Sequence, residues 1–123
     1  MFLLISHEID EIQKEQAEEL YGVRCFIKLP EELQEKWSNI PPEIDEVRDY
    51  ISDIKEFILL NAEKGDIVLV QGDYGATYEI VNFCKENNLI PVYATTKRVA
   101  EEKREKDRTI IKRTFKHVRF RQY

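Results

Sequence analysis

The sequence is poor in the residues that bind metals or form disulfides. Among 123 residues it has two cysteines and two histidines. Cys25 lies in an apolar run and Cys84 in a predicted helix, with no C-x-x-C pair and no histidine cluster beside either of them. The pattern lacks the spacing of a zinc or redox motif and predicts two buried, reduced thiols. We therefore expect no metal ion and no cofactor.

Long apolar runs are absent as well. The N-terminal run Phe2–Ile5 has no basic segment before it and is followed at once by Ser6, His7 and Glu8. It is too short for a membrane span and lacks the flanks of a signal peptide. We expect a cytoplasmic protein without a membrane partner. The sequence contains no repeat or low-complexity segment, and its length fits one domain over residues 1–123.

Charge is distributed unevenly along the chain. The formal net charge is -5. Met1–Thr96 holds 20 acidic and 8 basic residues, whereas Lys97–Tyr123 holds 4 acidic and 11 basic residues. Clustered Lys and Arg side chains attract phosphates. The basic segment is therefore expected either to face an anionic partner or to pack against the acidic helices of its own chain.

Apolar runs alternate with helical spacing and predict an α/β fold with a mostly parallel sheet. The helices are expected to begin near Glu8, Pro30, Pro42 and Ala76, with the Pro42 helix the longest. Their expected core positions include Ile9, Ile12 and Leu20 in the first helix, Leu33 and Trp37 in the second, and Ile44, Val47, Ile51, Ile54 and Ile58 in the third. The predicted strands are Met1–Ile5, Val23–Leu29, Ile67–Val70, Leu89–Ala94, Thr109–Phe115 and Val118–Tyr123. The last two strands are expected to form a C-terminal β-hairpin.

The segment Asp66–Phe83 carries the main functional signal. Its strand, Ile67–Val70, is apolar throughout, which predicts a position in mid-sheet. Gly72 and Gly75 follow it and precede a helix with apolar residues at Ala76, Ile80 and Phe83. The free amides of such a turn and helix N-terminus favour an anion. The glycine pair matches neither a dinucleotide fingerprint nor a P-loop, and it fits equally well a turn that needs positive φ, with Asp73 as an ordinary cap.

Two other predicted strand ends carry polar residues. Ser6 and His7 follow the first strand, and in a parallel sheet they should share an edge with Asp73. The alternative is that Ser6 caps a helix and His7 lies on the surface. The fourth strand is expected to end at Thr95-Thr96-Lys97-Arg98, where two hydroxyls and two cations suit a phosphate. The alternative for this segment is a helix over Val99–Lys106.

Four motifs together resemble a known family. They are Ser6-His7, Gln71-Gly72-Asp73-Tyr74-Gly75-Ala76-Thr77, Ala94-Thr95-Thr96-Lys97-Arg98 and His117-Val118-Arg119-Phe120-Arg121. The chain resembles, over its whole length, a family of small single-domain proteins encoded with type III CRISPR systems. These proteins are similar to the three-layer, Rossmann-like CARF domains that sense cyclic oligoadenylate. The family is associated with ring nucleases, which linearise that messenger and switch the antiviral response off, and a related branch binds the ring without cutting it.

The resemblance implies a ligand, an oligomer and a set of site residues. The ligand would be cyclic oligoadenylate, most simply the tetraadenylate, held by a two-fold homodimer in which each chain supplies half a site. Cleavage would need no metal if the ribose 2′-hydroxyl is held in line with the adjacent phosphorus. Lys97 and Arg98 would stabilise the phosphorane charge, and His7 or Asp73 would accept or orient the hydroxyl proton. The expected ligand contacts are Ser6, Gly72, Tyr74, Gly75, Ala76, Thr77, Thr95, Thr96 and Arg119. Tyr74, Tyr78 and Tyr93 would stack on adenine, and the alternative for each of the three is ordinary packing.

Two other functions fit the same residues. A non-catalytic protein that captures the ring would keep the cations and lose only the catalytic geometry. A subunit that binds RNA through the basic C-terminal strands would show a steep salt dependence, although the overall acidity argues against it. No DNA partner is expected.

Overall fold

A five-stranded sheet with the order β2-β1-β3-β4-β5 forms the centre of the fold. The computed structural model describes all residues, Met1–Tyr123. Its strands are β1 Phe2–Leu4, β2 Ile27–Lys28, β3 Ile67–Val70, β4 Ile90–Glu105 and β5 Arg108–Gln122, and its helices are α1 Glu11–Tyr21, α2 Glu31–Ser38, α3 Ser52–Asn61 and α4 Tyr74–Glu86. The first four strands are parallel, and β5 runs antiparallel to β4. The predicted α/β fold with a mostly parallel sheet is confirmed, and its strand order is that of a Rossmann-like, doubly wound layout.

Helices cover both faces of the sheet, and each face has its own core. Phe2 and Leu4 of β1 lie in a cluster with residues of α2, α3 and α4, whereas Leu3 and Ile5 lie in a second cluster with Ala17 of α1. This division follows from the strand geometry, because successive side chains point to opposite faces. We call the two sides the three-helix face and the α1 face. The apolar run of β3 is buried on both, as its sequence predicts.

Helix α1 is found where a helix was predicted, but it begins at Glu11 and not near Glu8, and its buried side differs from the predicted one. Asp10 caps it: the Asp10 carboxylate accepts from the Gln13 amide at 2.8 Å, and the Gln13 side chain accepts from the Asp10 amide at 3.1 Å. Gln13 and Ala17 are the buried residues of the helix. The prediction that Ile12 and Leu20 face the core is wrong, since they are 66% and 49% exposed. The small Ala17 and the capping Gln13 let this side of the helix approach the sheet, and the longer apolar side chains are turned outward.

The helix predicted to begin at Pro42 begins ten residues later. Residues 42–51 form turns, and α3 starts at Ser52, so that α4 with 13 residues is longer than α3 with 10. Ile51, Ile54 and Ile58 are fully buried as predicted, while Ile44 and Val47 are only partly buried. Asp45 and Asp49 explain part of the difference, because their short polar side chains favour turns over the helix interior.

The predicted second strand is also too long. Of Val23–Leu29, only Ile27 and Lys28 pair with β1, at the edge of the sheet. Cys25 precedes this short strand and is exposed, so the prediction that it is buried is wrong. Cys84, on the sheet-facing side of α4, is buried as predicted, and burial raises the pKa of its thiol to about 12.

The C-terminal hairpin differs from the predicted one in both strands. β4 does not end at Ala94 or continue as a helix over Val99–Lys106 but runs on to Glu105, and β5 is one continuous strand instead of two. The strands are joined by Lys106 and Asp107, whose φ angles of +40° and +68° suit a two-residue hairpin turn. This turn lies at the position where the alternative prediction, a helix over Val99–Lys106, would have ended.

Most of this hairpin extends beyond the body of the protein. Nine consecutive residue pairs, from Lys97 with Lys116 to Glu105 with Arg108, lie past the end of β3. Within Lys97–Lys116, which we call the arm, only Val99 and Thr114 are partly buried and every other residue is exposed. At ~3.3 Å per residue the arm is about 30 Å long. No helix of the structure has the length and the apolar sequence needed to cross a membrane.

Candidate functional site

The ends of β1 and β3 meet at one edge of the sheet. The two strands are parallel, with Leu4 opposite Val70, so Ser6-His7 and Gly72-Asp73 leave the sheet side by side. From β1 the chain continues to β2 on one side, and from β2 it returns to β3 on the other. Such a switch point opens a crevice at the carboxyl ends of the strands, where open α/β sheets bind ligands. The structure therefore places these predicted residues together at the customary location for a site.

A cleft of about 580 Å³ lies beside these strand ends, between the start of α1 and helix α2. Its apolar wall includes Ile5, Ile9 and Leu29. Its polar lining consists of Ser6, His7, Glu8, Lys28, Glu31, Gln34, Glu35 and Ser38. Ser6 and His7 are the only predicted site residues among them. The cleft is within the size range of small-molecule sites, and its rim carries more carboxylates than cations.

Residues of α2 that the sequence prediction missed shape this cleft. The Gln34 amide donates to the Ile5 carbonyl at 2.9 Å and to the Ser38 hydroxyl at 3.0 Å, so it ties α2 to the end of β1. Lys28 forms an ion pair with Glu8 at 2.8 Å, and the ammonium lowers the pKa of that carboxyl. The sequence could have indicated these residues, because Glu31 and Gln34 follow the second parallel strand, and the carboxyl end of that strand must lie at this same edge of the sheet.

Gly72 makes room for a tryptophan. A Cβ atom at Gly72 would lie 3.0 Å from the ring carbons Cε2 and Cζ2 of Trp37, which is 1% exposed. The Trp37 indole donates to the Gln71 carbonyl at 3.3 Å. Neither Gly72 nor Gly75 has a positive φ, so the alternative that these glycines serve a turn of that kind is wrong. The end of β3 is thus held against the buried indole of α2.

Asp73 occupies the N-terminus of α4. Its carboxylate accepts from the Ala76 amide at 3.0 Å, which is the usual cap of a helix. The predicted anion position at this helix end therefore already holds a negative charge, and a phosphate would have to share it. Ala76 is buried and offers no side-chain contact to a ligand, whereas Tyr74 is 95% exposed.

Three further residues of α4 were predicted to contact a ligand. Gly75 is exposed, and Tyr78 is 67% exposed. The Thr77 hydroxyl oxygen is buried without a hydrogen-bond partner. The exposed tyrosines of α4 are available for stacking, whereas the buried hydroxyl of Thr77 is not available for the predicted ligand contact.

Lys97 and Arg98 lie on opposite faces of the arm. Alternate residues of β4 share a face, and Val92 and Ala94 belong to the α1 face, so Thr96 and Arg98 continue that face. Thr95 and Lys97 continue the three-helix face. The prediction that Lys97 and Arg98 act together on one phosphate is therefore wrong for a single chain. Both are exposed, past the edge where β3 ends.

Arg119 shares its face with Lys97. It pairs with Thr95 across the hairpin, and its guanidinium donates to the Phe120 carbonyl at 3.3 Å. The Thr95 hydroxyl donates to the Arg119 carbonyl at 3.0 Å and accepts from its amide at 3.3 Å. Of the predicted site residues on this face, Lys97 and Arg119 are thus available to a phosphate, while the Thr95 hydroxyl is occupied by the backbone.

Tyr93 is engaged in packing. Its ring lies 4.8 Å from that of Tyr123, and its hydroxyl accepts from Arg121 at 3.0 Å. The Tyr123 hydroxyl in turn donates to the Val70 carbonyl. Gln71 joins the same strands, because its side-chain oxygen accepts from the Ala94 amide at 3.2 Å. These contacts brace the base of the arm against the end of β3, so Tyr93 has the packing role that was the alternative to stacking.

Comparison with known proteins places this chain in a family. A family model described as the uncharacterized protein MJ1673 family matches residues 1–121. The uncharacterized protein MJ1673 of Methanocaldococcus jannaschii is 50% identical over 123 residues, covering 100% of this chain and 95% of the relative. No solved structure matches the chain significantly. The chain belongs to the MJ1673 family of uncharacterized proteins.

Proposed function

We propose that this protein binds cyclic tetraadenylate at the carboxyl edge of its sheet and linearises it, so that it switches off type III CRISPR signalling in the cytoplasm. The observation that carries the proposal is the adjacency of Ser6-His7 and Gly72-Asp73 at the switch point of the sheet, beside an open cleft. The motif resemblance supplies the identity of the ligand. On this proposal the Rossmann-like layout is that of a CARF-like domain, and two copies enclose one ring.

The cleft suits an adenine better than a phosphate. Its wall is apolar at Ile5 and Leu29, which favours a flat base. Its rim carries Glu31 and Glu35, whose carboxylates accept hydrogen bonds from an exocyclic amine and repel a phosphate. The base would therefore enter the cleft. The phosphates would lie on the side of the arm, where Lys97 and Arg119 share a face.

The reaction proposed needs one base and one source of positive charge. The ribose 2′-oxygen attacks the adjacent phosphorus, its proton passes to the base, and the bond from phosphorus to the 5′-oxygen breaks. The products are a 2′,3′-cyclic phosphate and a 5′-oxygen, which takes up a proton from water and becomes a hydroxyl. His7 is the better base, because the Asp73 carboxylate already accepts from the Ala76 amide. Lys97 would stabilise the charge on the phosphorane.

The two histidines provide a matched pair for the test. Labelled cyclic tetraadenylate is incubated with the protein in EDTA, and the label is followed by chromatography. His7→Ala should reduce single-turnover cleavage by roughly 10²–10⁴-fold with little change in ring affinity. His117→Gln should cleave like the parent, since His117 is on β5, hydrogen-bonded to Gln16 of α1, and does not line the cleft. A ring that neither binds nor opens contradicts the proposal.

Capture of the ring without cleavage is the second candidate. It is favoured by one observation: Lys97 stands on the arm, beyond the strand end that carries Asp73, and Asp73 itself is used as a helix cap. A site whose base and cation do not converge binds without accelerating the reaction. In the same assay this function would appear as stoichiometric retention of an intact ring by the parent protein.

A further inference from the structure

The exposed arm lacks the packing that a two-stranded ribbon needs. An isolated hairpin is marginal in water, and three strands or a packed face are usually required for stability. The arm nevertheless exposes large apolar side chains: Ile110 is 45% exposed, Ile111 54% and Phe115 71%. Two of these, Ile111 and Phe115, lie on the α1 face of the arm, because they pair with Glu102 and Arg98. This face of the arm is an uncovered apolar stripe.

The same face of the arm is basic. Arg98, Arg104 and Arg113 flank Ile111 and Phe115 on it, with Glu102 as the acidic residue among them. The arm as a whole has nine basic and four acidic residues. A partner for this face should therefore present apolar side chains bordered by carboxylates.

Helix α1 presents such a surface. Ile12 and Leu20 are exposed on it, and Glu15 and Glu19 lie between them at helical spacing. The helix has four glutamates and one lysine. This acidic, apolar stripe lies on the side of α1 that borders the hairpin, because Gln16 in the same row donates to the Val118 carbonyl at 2.9 Å. Each molecule thus carries two complementary surfaces on one side.

We infer that the α1 face of the arm packs on the α1 helix of a second copy of this chain, and reciprocally, in a two-fold dimer. A two-fold interface is self-complementary, so each copy must supply both halves of every contact, as these two surfaces do. Within one chain the α1 face of the arm is left uncovered, since β4 runs without a break to Glu105 and every arm residue on that face is exposed. This inference does not depend on ring cleavage. It makes the partner of the arm a protein surface, that of a second copy of the chain.

The size of the two surfaces suits a reversible dimer. The shorter surface limits each contact: α1 is ~16 Å long and ~10 Å wide, so each copy buries roughly 160 Å² of its helix and as much of its arm, ~320 Å² in all, an area typical of a weak, transient dimer. A nucleic acid is the less suitable occupant. The arm carries Glu101, Glu102, Glu105 and Asp107 near its tip, and the body has an excess of acidic residues that a phosphate backbone would approach.

Charge reversal with complementation tests this interface. One variant carries Arg104→Glu and Arg113→Glu, so that both the α1 face of its arm and its α1 are acidic. The other carries Glu15→Lys and Glu19→Lys, so that both surfaces are basic. Each alone should dimerise at least about 100-fold more weakly than the parent, because like charges across an interface cost several kcal/mol. The mixture of the two should form a heterodimer, measured by sedimentation.

The apolar residues of the proposed interface can be tested separately, with a control residue on the opposite face of the arm. Phe115→Ser with Ile111→Ser should weaken the parent dimer, while Ile110→Ser, on the opposite face of the same strand, should leave it intact. Circular dichroism checks that every variant is folded. A monomeric parent, two reversed variants that both dimerise normally, or a mixture that stays monomeric each overturns the inference. So does tight, salt-sensitive binding of linear RNA that Phe115→Ser abolishes without altering the oligomeric state.

Discussion

Gly72 and Gly75 stand three residues apart, yet replacing each by alanine should shift stability in opposite directions. At Gly72 the new methyl group would lie 3.0 Å from the Trp37 ring, and the indole is buried on its other sides. Overpacking of this kind costs about 1–3 kcal/mol. If the indole moves, its hydrogen bond to the Gln71 carbonyl is lost as well, a further ~1 kcal/mol. Gly72→Ala should therefore lower the free energy of unfolding by about 2–4 kcal/mol.

Gly75 is the control. A Cβ atom there would lie 3.4 Å from the Asp73 carboxylate and 3.5 Å from Val47, which are ordinary contacts. The residue is inside α4 with an ordinary helical φ, so alanine should stabilise the protein by up to about 1 kcal/mol.

Urea denaturation followed by fluorescence measures both changes. Trp37 is the only tryptophan in the sequence, so its emission reports directly on the contact in question. Gly72→Ala should alter the native emission as well as the midpoint, whereas Gly75→Ala should alter only the midpoint. An unchanged midpoint and emission for Gly72→Ala would show that the indole does not require the glycine, and the account of this strand end would be wrong.

The remaining predictions concern thiols, pH and charge. A thiol reagent at pH 8 should modify the exposed Cys25 in the native protein and should leave Cys84 unmodified until the protein unfolds. The reason is that Cys84 is buried, which raises the pKa of its thiol to about 12. Mass spectrometry counts the adducts. Burial lowers the pKa of His117, with the Asp10 charge opposing it, so the unfolded state binds more protons. Stability should then fall as the pH drops below 6.5, and His117→Gln should remove that part of the pH dependence; equal profiles for the two proteins would contradict this. On the proposed function, Lys97→Gln should weaken ring binding by about 1.5–3 kcal/mol, whereas Arg98→Gln, on the other face of the arm, should not affect the same phosphate. Equal losses in a binding titration would argue against the separation of faces.

Local patterns predicted the centre of the fold well. The apolar run Ile67–Val70 has no alternation, so it must be covered on both faces, and it is. Ala76, Ile80 and Phe83 recur at helical spacing and are all buried. The parallel order of β1 and β3 then brings Ser6-His7 beside Gly72-Asp73, which the sequence predicted from strand ends alone.

The cleft was harder to predict, because it depends on a helix that docks across the sheet. Gln34 and Trp37 belong to α2, a short helix whose sequence suggests only an apolar pair with a polar exterior. Their roles appear when Gln34 reaches the Ile5 carbonyl and Trp37 fills the space above Gly72. Contacts between residues 29 or more positions apart leave no periodic signal in the chain.

By itself, the sequence determined which segments near the centre are strands and helices. A strand buried on both faces appears as a continuous apolar run, and a helix buried on one side appears as apolar residues at helical spacing. It also determined how charge is distributed along the chain, since Lys97–Tyr123 is basic whatever its fold. Only the tertiary structure decided which side of α1 is buried, because Ala17 packs in a core with Phe120 of β5, more than 100 positions away in the chain. Only the tertiary structure decided that Lys97 and Arg98 diverge, because a strand that continues past the sheet edge points neighbouring side chains apart, whereas a turn could have brought them together.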